Sequence, residues 1–164
     1  MGKALYMLIG LKGSGKTYIG TLADRHTGIK FLRVEPIWLG LQPGEDGWQK
    51  VEQAIDRLFL VNDRVMIESL GAGEGFRKFH ESLEKKYSIR MIRVKASPET
   101  CLERVRNRSR QDHIPVSDAQ VMEYNKIASM VNYEWDLEID NDPPAADEKI
   151  IEALLSLDNE KPID

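Results

Sequence analysis

The chain has 164 residues, which is enough for one α/β domain with a substantial core and too few for two ordinary domains. Its 41% hydrophobic and 30% charged residues exclude a disordered or membrane composition, and no apolar run approaches the ~20 residues that span a bilayer. A formal net charge of -4 argues against a surface built to hold long nucleic acids, and it leaves small anions as the easier substrates.

The first predicted element is a buried parallel strand over the apolar residues 4–9. Because the chain enters this strand almost at once, we expect no signal peptide. The single cysteine, Cys101, has no partner for a disulfide within the chain. Together these features predict a reducing, cytoplasmic setting.

Residues 10–17 follow this strand and match the pattern G-x-x-x-x-G-K-[ST] at every fixed position. Glycines in such a loop let successive backbone N–H groups point inward and bind the phosphates of a nucleotide, and the next helix adds its own unpaired N–H groups. We expect Lys16 to reach the β- and γ-phosphates of ATP and the Thr17 hydroxyl to bind Mg²⁺. The residues assigned to ATP binding are Gly10, Lys12, Gly13, Ser14, Gly15, Lys16 and Thr17.

A helix is predicted from Lys16 to a C-cap at Gly28, and a second strand is predicted over residues 30–34. Glu35 stands at the carboxyl end of that strand. Residues 36–46 then form a predicted loop that is unusually rich in apolar side chains. These side chains either pack over the core or form a flap that binds a second substrate.

Asp46 is the predicted N-cap of the next helix, because apolar residues recur at helical spacing after it. A buried strand over residues 64–69 carries Glu68 near its end, and a glycine-rich loop leads from it into a helix that contains Arg77. The fourth strand, residues 89–96, alternates charged and apolar side chains, so we expect one of its faces to be partly open.

Ser97 and Pro98 predict another helix start, and this helix runs into the arginines of residues 104–110. Ser117 begins a capping box and a further helix. The buried stripe of that helix is predicted to consist of Val121, Tyr124, Ile127, Ala128 and Val131.

A short fifth strand is predicted over residues 135–141, and Asp142 with Pro143 predicts the start of a last helix. That helix is expected to pack through Ile150, Ile151, Leu154 and Leu155. We expect a single domain over residues 1–158, followed by a frayed tail.

Strands and helices alternate along the whole chain, which predicts an α/β domain with a mostly parallel sheet, helices on both faces and right-handed crossovers. Ligands bind at the carboxyl ends of the strands in such sheets. Those ends carry residues 10–17, Glu35, Glu68 with Ser69, and Asp140 with Asn141. We therefore expect ligands to bind at this edge of the sheet.

In this order the features resemble the small P-loop kinases, the superfamily of adenylate, shikimate and gluconate kinases, and they are most similar to its polynucleotide-kinase-like and zeta-toxin-like branch. The resemblance is carried by residues 10–17, Glu35, the segment 65–79 with Arg77, and the arginine-rich turn 104–110 that precedes residues 114–117. It implies a three-layer P-loop NTPase fold with a five-stranded sheet in the order 2-3-1-4-5. It also implies transfer of the γ-phosphate of ATP to an acceptor and closure of a short lid around residues 106–116.

Phosphoryl transfer needs the γ-phosphate held in line with an acceptor oxygen and its charge neutralised. The resemblance gives that task to Lys16, Mg²⁺ and the lid arginines. We assign Arg106 and Arg110 to catalysis and Arg108 to ATP binding, since guanidinium groups clamp phosphate oxygens. The alternative for each arginine is a solvated helix end, where basic side chains also suit the helix dipole.

Three further residues are assigned around the acceptor. Glu35 is our choice for the base or for the carboxylate that orients the acceptor; the resembling kinases usually carry an aspartate here, and a charge that merely faces solvent is the alternative. Glu68 either binds Mg²⁺ through water or orients the acceptor. Arg77 either binds an anionic group of the acceptor or lies on the helix surface.

Two functions remain open from the sequence. The first is a kinase that uses ATP and Mg²⁺ and phosphorylates a small molecule, a nucleotide or a nucleic-acid end. The second is a regulatory ATPase that transfers phosphate only to water. The arginine-rich turn and the lack of an added helical domain favour the kinase, and the lack of a CxxC pair excludes a zinc-stapled lid. No motif identifies the acceptor.

Overall fold

The computed structural model describes residues 2–108 and 116–160 of the chain. These residues form twelve elements, and strands alternate with one or two helices. In chain order they are β1 Ala4–Gly10, α1 Lys16–His26, β2 Lys30–Phe31, α2 Glu35–Leu39, α3 Gly47–Leu58, β3 Arg64–Ser69, α4 Glu74–Glu84, β4 Ser88–Lys95, α5 Pro98–Asn107, α6 Asp118–Ser129, β5 Leu137–Asp140 and α7 Asp147–Glu160.

The five strands pair into one parallel sheet in the order β2-β3-β1-β4-β5. The strand order and the fold class predicted from the sequence are therefore confirmed. β1 lies at the centre, where Leu8 pairs with Glu68 of β3 and Gly10 pairs with Val94 of β4. The loop after β1 consequently lies at the carboxyl edge of the sheet, next to the ends of two other strands.

β1 is buried on both faces, so its alternate side chains supply two separate cores. Tyr6 and Leu8 pack on the face that α1 and α7 cover. Leu5 and Met7 pack on the face that α3 and α4 cover. The helices thus enclose the sheet from both sides, as the alternation of elements predicts.

The second strand is shorter than predicted, and this changes the setting of Glu35. β2 ends at Phe31, and Glu35 is the first residue of α2 instead of the last residue of a strand. Pro36 explains the difference, because its fixed φ suits the first turn of a helix, where its missing N–H costs nothing. The predicted loop over residues 36–46 therefore begins with a short helix.

The buried stripe of α6 also differs from the prediction. Val121 and Ala128 are buried as expected, but Tyr124 and Ile127 are 38% and 44% exposed. The third buried position is Asn125, which is only 3% exposed. The polar side chain of Asn125 can be buried in this stripe because it forms hydrogen bonds with the backbone of the loop after β1.

Three smaller corrections concern helix ends. α1 ends at a C-cap on Thr27 instead of Gly28, and the Thr27 hydroxyl donates to the carbonyl of Ala23. α7 begins at Asp147, because the Asp142 carboxylate instead accepts a hydrogen bond from the N–H of Ser97. On α7 the predicted packing residue Leu155 is exposed, and α7 extends to Glu160, past the predicted start of the tail.

The partly open face of β4 is present but narrower than predicted. Lys95 is exposed and Arg93 is partly exposed, whereas Arg90 lies on the other face of the strand and is buried. Among the helices of the two described segments, none has the length and the apolar character needed to cross a membrane.

Candidate active site

A cavity of about 540 Å³ opens at the carboxyl edge of the sheet, above the ends of β1 and β3. One end is polar and is formed by the loop after β1 together with residues of β3 and α5. The other end is apolar and is formed by α2, α3 and the start of α4. The polar lining of the cavity includes Lys12, Gly13, Gly15, Lys16, Thr17, Glu35, Glu68, Arg104 and Arg108.

The loop after β1 has the backbone geometry of a phosphate-binding nest. Gly13 and Gly15 have φ values of 91° and 105°, which side chains other than glycine rarely adopt. A Cβ at Gly13 would also lie 2.3 Å from the carbonyl oxygen of Cys101 on α5. Gly15 is the N-cap of α1 and supplies no side-chain cap, so the first N–H groups of that helix face the cavity for an anion.

Lys16 lies across this loop. Its ammonium group donates to the carbonyl oxygens of Gly10 at 2.7 Å and Leu11 at 2.8 Å. An ammonium has three N–H donors, so one remains for a phosphate oxygen. Burial lowers the pKa of Lys16 to about 8, and nearby Glu68 partly opposes that shift.

Thr17 and Glu68 meet at the floor of the cavity. The Thr17 hydroxyl donates to the Glu68 carboxylate at 2.8 Å, and Glu68 is only 5% exposed. A hydroxyl and a carboxylate beside a phosphate nest are the oxygen ligands that Mg²⁺ uses together with nucleotide phosphates and water. This donor set fits Mg²⁺, although no group of three or more His, Cys, Asp or Glu within the described segments could hold a metal alone.

Three side chains outside the loop hold its backbone in place. The Asn125 amide accepts from the N–H of Lys12 at 2.8 Å and donates to the carbonyl of Lys12 at 3.1 Å. The Arg104 guanidinium donates to the carbonyls of Ser14 at 3.2 Å and Asn141 at 2.7 Å. The Asn141 amide also donates to the carbonyl of Ser14, at 2.8 Å. The loop is therefore preorganised by α5, α6 and the segment after β5.

Sequence reasoning missed the roles of Asn125 and Arg104, but helical spacing contains a signal for both. Cys101 is fully buried on α5. Arg104, three residues later, lies on the same face of the helix, and Arg108, seven residues later, continues that face at the C-cap. Asn125 lies four residues after Val121, within a buried stripe. A polar residue in a buried stripe needs a partner, and here the partner is the loop backbone.

Glu35 and Arg108 both face the cavity. The Glu35 carboxylate lies 4.0 Å from the ammonium of Lys12, and both side chains are largely buried, at 13% and 15% exposed. Burial lowers the pKa of Lys12, and it also lowers the pKa of Arg108, for which Glu35 and Glu68 partly compensate. The structure thus brings together the loop, Glu35, Glu68 and Arg108, as the sequence predicted.

Other predicted site residues lie elsewhere. Arg106 pairs with Asp118 at 2.8 Å on the surface, and Arg77 pairs with Glu74 and Glu81 on the exposed face of α4. Gly10 packs against β4, and the Ser14 side chain is buried, so neither lines the cavity. Arg110 and most of the predicted lid, residues 109–115, lie outside the described residues. The roles assigned to Arg77, Arg106 and Arg110 stay predictions.

The apolar end of the cavity was not assigned from the sequence, except for the alternatives given for residues 36–46. Trp38 and Trp48 lie there with ring centroids 5.2 Å apart and an interplanar angle of 83°. Phe79 lies 5.1 Å from Trp48 and is nearly fully buried. Ile37 packs against the core, as the first of the two alternatives predicts, and Trp38 lines the cavity. The acceptor-binding role considered for this segment stays a prediction.

No family model and no curated protein matches this sequence. Solved structures do match its fold. A sugar kinase from a Janibacter species has a TM-score of 0.65 at 16% identity, over 99% of this chain and 97% of that chain. Shikimate kinase from Acinetobacter baumannii, in complex with shikimate, has a TM-score of 0.61 at 18% identity, over 98% of this chain and 94% of that chain. The Mycobacterium tuberculosis APS kinase in complex with AMPPNP and APS has a TM-score of 0.61 at 15% identity, over 98% of both chains.

These likenesses are too distant in sequence to establish more than the fold. The chain has the fold of the small P-loop kinases, and the resemblance predicted from the order of its motifs is confirmed at that level. The chemistry has to be argued from the residues of the cavity.

Proposed function

We propose that this chain is a MgATP-dependent phosphotransferase that moves the γ-phosphate of ATP to a hydroxyl or phosphate group of a small molecule. One observation carries the proposal: the phosphate nest and the carboxylate of Glu35 face a single cavity, which continues past the nest into a space for a second substrate. A nucleotide switch that transfers phosphate only to water needs no such space.

The polar end of the cavity supports binding of the ATP phosphates. Backbone N–H groups around Gly13 and Gly15 supply the nest, and the third N–H of the Lys16 ammonium supplies a charged donor. The APS kinase with the same fold is in complex with AMPPNP, which supports a nucleotide in this position. Arg108 is the described arginine best placed to neutralise the transferred group, because it lines the cavity near Glu35 and Glu68.

Thr17 and Glu68 would hold Mg²⁺, Thr17 directly and Glu68 directly or through water. When bound, the ion would neutralise charge on the β- and γ-phosphates. The hydroxyl of Thr17 is held toward Glu68 at 2.8 Å, so the protein keeps both oxygens together at the mouth of the nest.

In the proposed transfer, an acceptor oxygen forms a bond to the γ-phosphorus while the bond from that phosphorus to the β–γ bridging oxygen breaks, and ADP leaves. The proton of an acceptor hydroxyl passes to the Glu35 carboxylate and then to water. The ammonium of Lys12 lies 4.0 Å from the Glu35 carboxylate and is its ion-pair partner before transfer. Lys16 and Arg108 neutralise the charge that spreads over the γ-phosphoryl oxygens.

The proposal is tested with purified protein, ATP and Mg²⁺. Calorimetry measures MgATP binding, and γ-labelled ATP follows phosphate into a panel of uridine, thymidine, glucose, gluconate, shikimate and an oligonucleotide with a free 5′-hydroxyl. We expect MgATP to bind and at least one acceptor to raise ADP formation about tenfold over water and to become labelled. ADP formation that is equal with every acceptor, with all label in inorganic phosphate, would support the regulatory ATPase instead.

A further inference from the structure

The cationic residues of the cavity are gathered at its phosphate end. Among the described lining residues, Lys12, Lys16, Arg104 and Arg108 are cationic, and Glu35 and Glu68 are anionic. Their balance is two positive charges, and MgATP carries about two net negative charges. Bound MgATP would therefore neutralise this surplus.

Two nearby arginines do not alter this balance. Arg33 is close enough to Arg108 to help lower its pKa, but it does not line the cavity. Arg77, predicted from the sequence to bind an anionic acceptor, is engaged by Glu74 and Glu81 on the exposed side of α4. An anionic acceptor would add negative charge beside Glu35 and Glu68, and the described lining of the cavity has no remaining cationic surplus to offset it.

The end of the cavity away from the phosphate nest is apolar and aromatic. Its lining includes Val34, Trp38, Trp48, Val51, Ile67, Ala72 and Phe79. The two indoles meet almost at right angles, which leaves a flat-sided apolar corner. Aromatic walls favour a flat, apolar partner that packs by stacking or edge contact. A polyol buried here would give up hydrogen bonds to water without replacing them.

The two indoles are held by close contact with backbone, so the corner is formed before a ligand arrives. A Cβ at Gly47 would lie 2.0 Å from the ring of Trp38. A Cβ at Gly75 would lie 2.3 Å from Nε1 of Trp48. Both rings thus rest directly on glycine backbone, and a preorganised wall reduces the entropy lost when a ligand binds.

We infer that the acceptor is a neutral alcohol whose molecule also carries a flat, uncharged aromatic ring, such as an aryl alcohol or a nucleoside. The ring lies against Trp38 and Trp48, and the hydroxyl lies at Glu35 near the boundary of the two ends. This inference depends on the proposed phosphotransferase function, and it specifies the acceptor class of that same site. The oxygen–phosphorus bond forms on the ring-borne hydroxyl, whose proton goes to Glu35, and ADP is the leaving group.

The test combines a binding measurement with a transfer measurement. The chain has three tryptophans, and Trp135 lines a separate cavity, so a Trp135→Phe protein reports only on the two indoles of the proposed wall. Quenching of its fluorescence by uridine, thymidine and 2-phenylethanol is measured with AMPPNP and Mg²⁺ present. Phosphate transfer from γ-labelled ATP to these alcohols is then compared with transfer to gluconate, shikimate and glucose.

We expect at least one ring alcohol to quench the indoles and to be phosphorylated in preference to the anionic and polyol probes. Trp38→Leu should raise its KM about tenfold without changing the Kd for MgATP, and Trp38→Phe, which keeps a flat ring, should restore most of the affinity. A merely structural role for Trp38 would change both constants together. Thermal melts of each variant separate loss of binding from loss of fold.

Two different results would overturn the inference. Transfer to gluconate, shikimate or glucose, with no binding of any ring alcohol, contradicts the inference alone and leaves the phosphotransferase intact. Binding of ring alcohols without transfer to any probe contradicts the phosphotransferase, and the acceptor class is lost with it.

Discussion

The two ends of the cavity are built in different ways. The phosphate end consists mainly of consecutive residues in one loop, and its backbone is held by Asn125, Arg104 and Asn141. The apolar end, which we propose binds the acceptor and call the acceptor end, consists of side chains from α2, α3, β3, α4 and the segment before α4. Backbone amides recognise any phosphate, whereas separate side chains can be exchanged one at a time. Changes at the first end should therefore alter nucleotide use, and changes at the second should alter the choice of acceptor.

The largest effect is expected from Lys16→Ala at the phosphate end. This change removes the charged donor that bridges Gly10 and Leu11 and would reach the γ-phosphate. We expect kcat for any acceptor to fall about a thousandfold, since removal of one preorganised charged donor has effects of that size. The fold should survive, because Lys16 lines the cavity and belongs to neither of the two main core clusters.

The change is checked by ADP release under saturating ATP and by circular dichroism. A matched control is Lys50→Ala, which removes an exposed ammonium that pairs with Glu45 and does not line the cavity. If Lys16→Ala turns over at the rate of the unchanged protein, Lys16 has no part in the mechanism. The expectation that changes at the phosphate end alter nucleotide use would then lose its strongest support.

The next largest effect is expected where the two ends meet. Glu35→Gln keeps the shape of the side chain but removes its ability to accept a proton. General-base catalysis contributes at least about a hundredfold, so kcat should fall by that factor while the Kd for MgATP changes little. Stopped-flow or label-transfer kinetics measure kcat, and calorimetry measures the Kd. Glu134→Gln, at an exposed position, is the control. If Glu35→Gln transfers phosphate normally, Glu35 is a structural partner of Lys12.

A third change acts on the phosphate end from a distance. Asn125→Ala leaves the N–H and the carbonyl of Lys12 without their side-chain partners. Unpaired buried groups cost about 1–3 kcal/mol, so we expect the free energy of unfolding to fall by that amount. We also expect MgATP to bind about tenfold more weakly, because the loop loses part of its preorganisation.

Chemical denaturation and calorimetry check both values for Asn125→Ala. Asn132→Ala is the matched control, because Asn132 is exposed and follows the same helix. Weaker MgATP binding with an unchanged acceptor preference would sharpen the division between the two ends. An altered acceptor preference with normal MgATP binding would contradict that division.

The sequence predicts the phosphate end far better than the acceptor end, and the reason is physical. Residues 10–17 are contiguous, and their geometry is set by glycines and by one helix start, so the pattern alone is enough to predict a phosphate-binding loop. Glu35 lines the cavity even though its element was predicted wrongly, and its assignment as base stays a prediction. Pro36 turns the predicted strand end into a helix start, but the carboxylate still lies at the same edge of the sheet.

The arginines show what a linear pattern leaves out. Arg104 and Arg108 share a helix face with buried Cys101, and both line the cavity, while Arg106 points away and pairs with Asp118. Spacing separates these residues, whereas the lid hypothesis groups Arg106, Arg108 and Arg110 and gives Arg104 no role. The wall of Trp38 and Trp48 could not be derived, because it depends on the packing of α2 against α3 and α4, which no local pattern specifies.

The smallest predicted effect tests the electrostatic setting of the phosphate end. Burial lowers the pKa of Lys16 to about 8, below the 10.5 expected in the unfolded chain. Between these values the unfolded chain binds more protons at this residue than the folded protein does. The contribution of Lys16 to the free energy of unfolding therefore rises as pH increases from about 8 toward about 10.5, and it is least favourable below about 8.

Lys16→Met removes the titrating group and keeps a chain of similar length. We expect the stability of the unchanged protein relative to Lys16→Met to rise with pH across this window, as measured by urea denaturation at several pH values. MgATP should reverse the trend, because bound phosphates favour the charged ammonium and raise its pKa, so the stabilisation by MgATP should decline as pH passes about 8. A relative stability that is flat with pH would mean that the ammonium is well hydrated in the free protein. The two ends of the cavity would then differ in the charges that they carry, but burial would not have removed water from the charged group at the phosphate end.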